Sequence, residues 1–101
     1  MATVFLTQET KRNVEKAARF GALRPVLGEG HSFVDDPKGS VERVTQIIGP
    51  EFGPEDFILP VGDLVGVFVA GYVVGLDRCG PVKLLKWDAR LNDYVAVEIT
   101  A

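Results

Sequence analysis

Three short motifs hold the side chains that could do chemistry. Gly28-Glu29-Gly30 is followed by His31, the only histidine, so a glycine loop stands beside a carboxylate and an imidazole. Gly62-Asp63 follows an apolar run, where the N–H groups of a helix start would favour an anion. Cys79 is the only thiol. Each motif also has an ordinary structural interpretation.

None of these motifs matches a known nucleotide, metal or catalytic pattern. The glycine loop lacks the spacing of either nucleotide fingerprint. His31 with Glu29, Asp35 and Asp36 offers one imidazole among scattered acids, which is neither a zinc nor a calcium pattern. Asp63 is better explained as an N-cap, and nothing in the spacing pairs Cys79 with a base. The sequence therefore identifies no catalytic residue, metal site or cofactor, and it favours a protein that is not an enzyme.

Length and composition indicate one folded domain. The chain has 101 residues, of which 47% are apolar and 25% charged, as in ordinary globular proteins. A single cysteine and a start without a long apolar stretch predict a cytoplasmic location. Residues 57–76 are strongly apolar, but Pro60, Asp63 and four glycines interrupt them, so we expect a buried segment and no membrane contact.

Charge is unevenly distributed along the chain. Residues 1–28 carry five cations against two acids, whereas residues 29–56 carry seven acids against two cations. The cations could bind nucleic acid if those of the first segment, Lys11, Arg12, Lys16 and Arg19, shared one face with Lys83 and Lys86. Because no aromatic stacking platform accompanies them, a solvated helix face is the favoured interpretation.

Apolar spacing predicts alternating strands and helices in the order β-α-β-α-β-α-β-β. Thr7 is expected to cap the first helix and Ser40 the second, and Gly49-Pro50 should end the second after about two turns. The predicted elements are strand 2–6, helix 8–20, strand 23–27, a helix starting at Ser40, strand 57–61, a segment 63–77, and a hairpin of strands 82–87 and 94–99.

The segment 63–77 has conflicting local signals. Its valines and aromatic residues, with Ala70-Gly71 as a turn, favour a β-hairpin. Asp63 as an N-cap favours a helix, in which Gly66, Gly71 and Gly75 would let the helix lie close to a sheet. Residue preferences alone leave both structures open.

Five stretches form a pattern over nearly the whole chain: Val4–Leu6, Ala17–Gly21, Ile58–Asp63 (ILPVGD), Leu84–Asp88 (LLKWD) and Tyr94–Val97 (YVAV). This pattern resembles a family of small uncharacterised proteins that occur chiefly in tailed phages and prophages. The resemblance implies a viral origin, an accessory role in the host cytoplasm, and a helix at 63–77. Where the family commonly has a proline after Gly-Asp, this chain has Leu64. The family has no catalytic motif to transfer.

With that helix, the chain becomes a single three-layer-like α/β domain with a mainly parallel sheet and a C-terminal antiparallel hairpin. Ligands of open α/β sheets bind where the carboxyl ends of the strands converge and the strand order reverses. The candidate ligand-binding residues are therefore those that follow the strands: Thr7, Glu9, Gly28, Gly30, His31, Gly62, Asp63 and Asp88.

Two functions remain open. The first is a non-enzymatic binding or regulatory accessory protein that forms a homodimer or contacts a host protein. The alternative is a domain that binds a small ligand or nucleotide through the loops at the carboxyl ends of its strands. Nucleic acid is a third and less favoured partner.

Overall fold

The computed structural model describes residues 2–77 and 81–100, which form one five-stranded sheet and the helices packed on it. The strands are β1 (Thr3–Gln8), β2 (Ala22–Leu27), β3 (Phe57–Leu59), β4 (Val82–Asp88) and β5 (Asp93–Ile99). A 3-10 helix (Glu15–Phe20) joins β1 to β2, α1 (Pro37–Glu51) joins β2 to β3, and α2 (Leu64–Asp77) follows β3.

The sheet has the strand order β2-β1-β3-β4-β5. Its first four strands are parallel, and β5 pairs antiparallel with β4 over all seven residues. The predicted α/β fold, with a mainly parallel sheet and a C-terminal hairpin, is confirmed. The chain moves from β1 to β2 on one side and then to β3 on the other, so the strand order reverses between β1 and β3.

The central strand β1 divides the core into two clusters. Residues alternate between the faces of a strand, so Phe5 points to one side and Val4 and Leu6 to the other. Phe5 and Ile58 pack with α1 and α2, whereas Val4 and Leu6 pack with Ala17 of the 3-10 helix. The sheet therefore has two long helices on one face, called the helix side below, and the short 3-10 helix on the other.

Segment 64–77 is a helix, because burial on one side outweighs the β-preference of its residues. Ala70, Val73 and Val74 are buried at helical spacing against the sheet and α1. The Asp63 carboxylate accepts a hydrogen bond from the Val65 N–H at 2.8 Å, as the N-cap prediction requires. No helix of the described residues is both long and apolar enough to cross a membrane.

The glycines of α2 do not all serve the role expected for them. A Cβ on Gly66 would lie 3.0 Å from the Phe33 ring, so this position does allow a close approach. Gly71 and Gly75 are exposed, and a Cβ on either would meet nothing within 4 Å. The prediction that they bring the helix close to the sheet was wrong.

The first predicted helix was also wrong in its extent. β1 continues through Gln8, and residues 9–14 form a loop before the 3-10 helix. Side chains in this loop compete with helix formation: Thr10 Oγ1 accepts from the Arg12 N–H, and Asn13 Oδ1 accepts from the Glu15 N–H. Thr7 lies inside the strand and does not cap a helix.

The second helix is longer than predicted. It begins at Pro37 after Asp36, whose carboxylate accepts from the Gly39 N–H. Ser40, the predicted cap, lies inside the helix, where it is buried. The helix continues through Pro50 because the Phe52 N–H closes the last turn on the Ile48 carbonyl at 2.9 Å.

Asp56 connects the start of β1 to the turn before β3. Its buried carboxylate accepts from the Thr3 N–H at 2.8 Å and from the Gly53 N–H at 2.7 Å. Both donors would lose their partner without this side chain. We expect Asp56→Ala to lower the free energy of unfolding by about 1–3 kcal/mol, the cost of leaving buried polar groups unsatisfied.

Urea denaturation would measure this loss, and Glu55→Ala is the matched control because the Glu55 side chain is exposed. Equal stability of the two variants would show that the Asp56 hydrogen bonds do not hold the strand ends together.

Candidate functional site

A cleft of about 1150 Å³ lies at the carboxyl edge of the sheet. It opens where the strand order reverses between β1 and β3. Three loops surround it, namely residues 9–14 after β1, 29–31 after β2 and 60–63 after β3, and the end of β4 forms a further wall. This is the position at which α/β sheets bind ligands.

Gln8, the last residue of β1, holds the loops that follow β2 and β3 together. Its buried amide nitrogen donates to the Gly28 carbonyl at 3.1 Å and to the His31 carbonyl at 3.2 Å. Its amide oxygen accepts from the Asp63 N–H at 2.9 Å. Because both N–H groups and the oxygen are used, this one side chain links the ends of all three strands.

Thr7 and Gly62 support the same arrangement. The buried Thr7 hydroxyl donates to the Val61 carbonyl at 2.6 Å and accepts from the Val61 N–H at 2.8 Å, so it extends the β1–β3 ladder beyond Leu59. Gly62 has a φ of 83°, and a Cβ there would overlap the Gln8 amide. Glycine is therefore required at position 62 on both counts.

His31 is engaged on one side of its ring. Its Nε2 lies 2.6 Å from Ser40 Oγ, and the Ser40 hydroxyl donates to the Asp36 carbonyl at 2.6 Å. Since the hydroxyl has one proton, Nε2 must be the donor to Oγ. Ser40 is also buried, so this pair cannot act as a nucleophile with its base. His31 instead anchors its loop to α1.

The structure brings together most of the residues predicted to bind a ligand. Glu9, Gly30, His31, Gly62 and Asp63 line the cleft. The other three do not: the Thr7 hydroxyl is bonded to Val61, the Gly28 carbonyl accepts from Gln8, and Asp88, the last residue of β4, accepts from the turn that follows.

Asp88 has a role in the hairpin turn. Its carboxylate accepts from the Arg90 backbone N–H at 2.9 Å and from the Arg90 guanidinium at 3.2 Å. These hydrogen bonds, of which the one from the guanidinium has the largest effect, hold the pKa of Asp88 below its ordinary value. The side chain therefore stabilises the turn as a carboxylate.

The cations do not form one continuous face. Lys83 donates to the Glu55 carbonyl at the amino edge of the sheet, and Lys86 points to the opposite face because it is three residues further along the strand. Lys16 and Arg19 donate to backbone carbonyls of the hairpin, and Lys11 pairs with Glu29 at 3.5 Å. The feature that would support nucleic-acid binding is therefore not present.

The cleft has a mixed lining of charged and aromatic side chains. Its loops are anchored by Gln8, and its lining combines the side chains of Arg12, Lys86 and Trp87 with those of Glu9 and Asp63. Residues 2–77 and 81–100 contain no group of three or more side chains placed to ligate a metal. Cys79, considered above as a nucleophile, lies outside the described residues.

Sequence reasoning missed Gln8, Ser40 and the outer side of α2. Gln8 follows the apolar residues Val4–Leu6 and Thr7. A polar residue that directly continues a buried strand was the signal that could have found it. Ser40 was treated as a cap because it precedes a helical pattern. No local signal could separate the outer side of α2 from its buried side, because both are apolar.

Gln8→Glu tests the connection between the loops without changing side-chain size. A carboxylate would still accept from Asp63 but would face the Gly28 and His31 carbonyls with no proton to donate. We expect a loss of about 2 kcal/mol or more in the free energy of unfolding at pH 7. The surrounding carbonyls would raise the pKa of the new acid in the folded state, so stability should recover as the pH falls towards 5.

Denaturant unfolding at pH 7 and pH 5 would measure both effects. Gln46→Glu on the exposed side of α1 is the matched control and should cost little at either pH. A Gln8→Glu protein as stable as this control would mean that the amide does not hold the loops.

Comparison with known proteins adds one finding. No curated protein and no solved structure matches the chain. Residues 2–101, nearly the whole sequence, match the model of a family described as Phage Pam3 gp32-like protein. This match confirms the resemblance to a phage protein family, and the chain belongs to the Phage Pam3 gp32-like protein family.

Proposed function

We propose that this phage-family protein is a non-enzymatic binding protein that works as a homodimer associated through the outer side of α2. The observation that carries the proposal is a row of large apolar side chains with nothing packed on it. Leu64, Phe68, Tyr72 and Leu76 are 82%, 72%, 60% and 69% exposed and follow one another at four-residue spacing. Residues at this spacing lie on one side of a helix.

The row has no charged residue to solvate it. From Leu64 to Leu76 the helix contains only apolar residues, glycine and Tyr72. Phe68 and Tyr72 stack on each other with 6.5 Å between ring centroids, and neither ring has a partner from another element among the described aromatic contacts. A helix that is apolar all round is normally buried on all sides.

The exposed area is in the range of an interface. With Val65, these side chains present on the order of 600 Å², since one large aromatic side chain alone can bury about 150–250 Å². That equals the largest apolar patch of a typical monomer and approaches the roughly 800 Å² that each partner contributes to a standard interface. A two-fold axis would place the same uncharged surface on both sides, so no charge would be buried without a partner.

Phe68→Glu tests this proposal. A charge at the centre of the row would be desolvated on association. The dissociation constant of the dimer should therefore rise at least tenfold, which corresponds to about 1.4 kcal/mol or more. Size-exclusion chromatography with light scattering should give twice the chain mass of 11.0 kDa for the wild type and 11.0 kDa for the variant.

Leu91→Glu is the matched control. Leu91 is 64% exposed in the β4–β5 turn, beside Phe20 on the face of the sheet opposite to α2. This variant should remain dimeric. A wild-type protein that stays monomeric at all concentrations would overturn the proposal.

A second candidate function is the binding of a small anionic ligand or nucleotide in the cleft. It is supported by the position of the cleft where the strand order reverses, and by the anchoring of its loops through Gln8. Arg12 and Lys86 line the cleft without a described ion pair, and the 43% exposed Trp87 ring also lines it, with Lys16 Nζ 5.8 Å from the ring centroid and Tyr94 packed against it. Such a combination suits a phosphate attached to an aromatic base.

A thermal-shift panel of nucleotides and inorganic phosphate tests this candidate. A ligand present at a hundred times its dissociation constant stabilises the folded state by about 2.7 kcal/mol, which should raise Tm by several degrees. Arg12→Ala should abolish the shift, and Arg43→Ala, an exposed arginine on α1, should retain it. Unchanged melting across the panel would rule the candidate out.

A further inference from the structure

The outer side of α2 has open space beside its exposed row. The row is formed by Leu64, Phe68, Tyr72 and Leu76. A second line of residues at four-residue spacing contains Gly71 and Gly75, and at about 100° per residue it lies roughly 60° around the helix from the row. Both glycines are exposed, and a Cβ on either would meet nothing within 4 Å. This space above the two glycines, next to large side chains, is called the hollow below.

Nothing in the described part of the chain requires glycine at these two positions. The positive φ values of the described glycines belong to Gly30 and Gly62, so Gly71 and Gly75 have ordinary helical backbone. A Cβ on Gly66, by contrast, would lie 3.0 Å from a packed side chain. Glycine destabilises the interior of a helix relative to residues with a side chain. The two exposed glycines therefore weaken α2 without a contact that uses them, whereas a close approach by another molecule would use them.

We infer that the exposed row of one copy packs into the hollow of a second copy, and that the second copy's row packs into the hollow of the first. This inference rests on the proposed function and specifies which side chains meet. The row supplies large uncharged side chains that nothing covers among the described residues, and the hollow supplies an uncharged surface of the opposite shape. Because both lie on the outer side of one helix, a single two-fold axis serves both contacts.

The two-fold axis limits the direction in which the helices can run. In a parallel pair each residue lies level with its own counterpart, so ring would face ring and glycine would face glycine. In an antiparallel pair a ring can face a glycine in both contacts. The antiparallel pair also places the positive end of each helix dipole near the negative end of the other. The antiparallel arrangement is therefore the one that fills the hollow.

Residue spacing then selects the register of the two helices. With the axis beside residues 71 and 72, Tyr72 meets Gly71 of the second copy, and Phe68 meets its Gly75. A shift by four residues in one direction sets Tyr72 against Val67 in place of a glycine. The opposite shift carries Phe68 beyond the end of α2. The selected register is the one in which both aromatic rings reach a glycine.

The general rules of helix packing agree with this geometry. Rows at four-residue spacing on two helices interdigitate when the helix axes cross at about 50° and lie about 8–10 Å apart, which is the commonest class in globular proteins. Glycine at the contact allows the axes to reach the short end of that range. The backbone exposed at the hollow is then buried too, which brings the area from each copy closer to the roughly 800 Å² of a standard interface.

Gly71→Leu tests whether the hollow receives a ring. The new side chain has room within its own chain and favours a helix more than glycine does, so the variant should fold at least as well as the wild type. Because the leucine would occupy the hollow, the dissociation constant of the dimer should rise by about tenfold or more. If the rows met without the hollow, the added leucine would enlarge the apolar surface and leave the constant unchanged or lower. Analytical ultracentrifugation over a dilution series would measure it.

Tyr72→Ala in the same chain should restore the contact. This change removes the ring that faces Gly71, and by itself it should weaken the dimer because apolar contact is lost. In the double variant Gly71→Leu/Tyr72→Ala, the leucine occupies the space that the ring has left. The dissociation constant of the double variant should therefore be lower than that of Gly71→Leu by about fivefold or more, whereas two independent losses would add.

Gln46→Leu is the matched control, because it adds a leucine to the exposed side of α1 rather than α2 and should keep the wild-type dissociation constant. If Gly71→Leu also keeps it while Phe68→Glu is monomeric, the hollow receives no ring. The inference is then overturned and the proposed function survives. A double variant that binds more weakly than Gly71→Leu would also overturn the inference. A monomeric wild type would overturn both the inference and the proposed function.

Circular dichroism must first show that each variant is folded. If Gly71→Leu fails to fold, Gly75→Leu and Phe68→Ala take the place of the two changes, because they alter the second pair of ring and glycine in the same interface.

Discussion

The structure depends on the end of β1, where two neutral polar side chains hold the loops that follow β2 and β3 in place. Thr7 binds both backbone groups of Val61, and Gln8 binds the loops that follow β2 and β3. β3 has only three residues, so its ladder to β1 is too short to align the chain beyond Leu59 without help. The side-chain bonds supply that alignment, and the Gln8 bond to the Asp63 N–H holds the residue that caps α2.

This arrangement separates the two surfaces that could serve a function. In the cleft, polar groups are largely satisfied within the protein: Gln8 uses its whole amide, His31 is anchored to Ser40, and Asp63 caps α2. On α2, by contrast, large side chains have neither a partner nor a charge nearby. Exposed apolar area drives association without any directed chemistry, so the uncovered helix carries the stronger functional argument.

The same contrast explains the composition of α2. A helix on the outside of a sheet normally alternates an apolar side with a polar one, and α1 follows this rule with charged residues such as Glu42 and Arg43 exposed. α2 is apolar on both sides and includes β-branched residues that favour strands in isolation. Its helical state depends on the burial of Ala70, Val73 and Val74, and association would remove its remaining apolar surface from water.

The sequence by itself determined the alternation of strands and helices up to the third strand and the C-terminal hairpin, because hydrophobic period and glycine and proline positions are local signals. The parallel sheet and the convergence of its loops followed only with a helix at 63–77, which the family resemblance implied. The sequence also placed Asp63 correctly as a cap. Tertiary structure decided the rest. Whether Thr7 caps a helix or extends a ladder depends on Val61, 54 residues away, and whether 64–77 is helix or hairpin depends on the sheet beneath it. The inner and outer sides of α2 have the same chemistry, so only packing could distinguish the core from the exposed row.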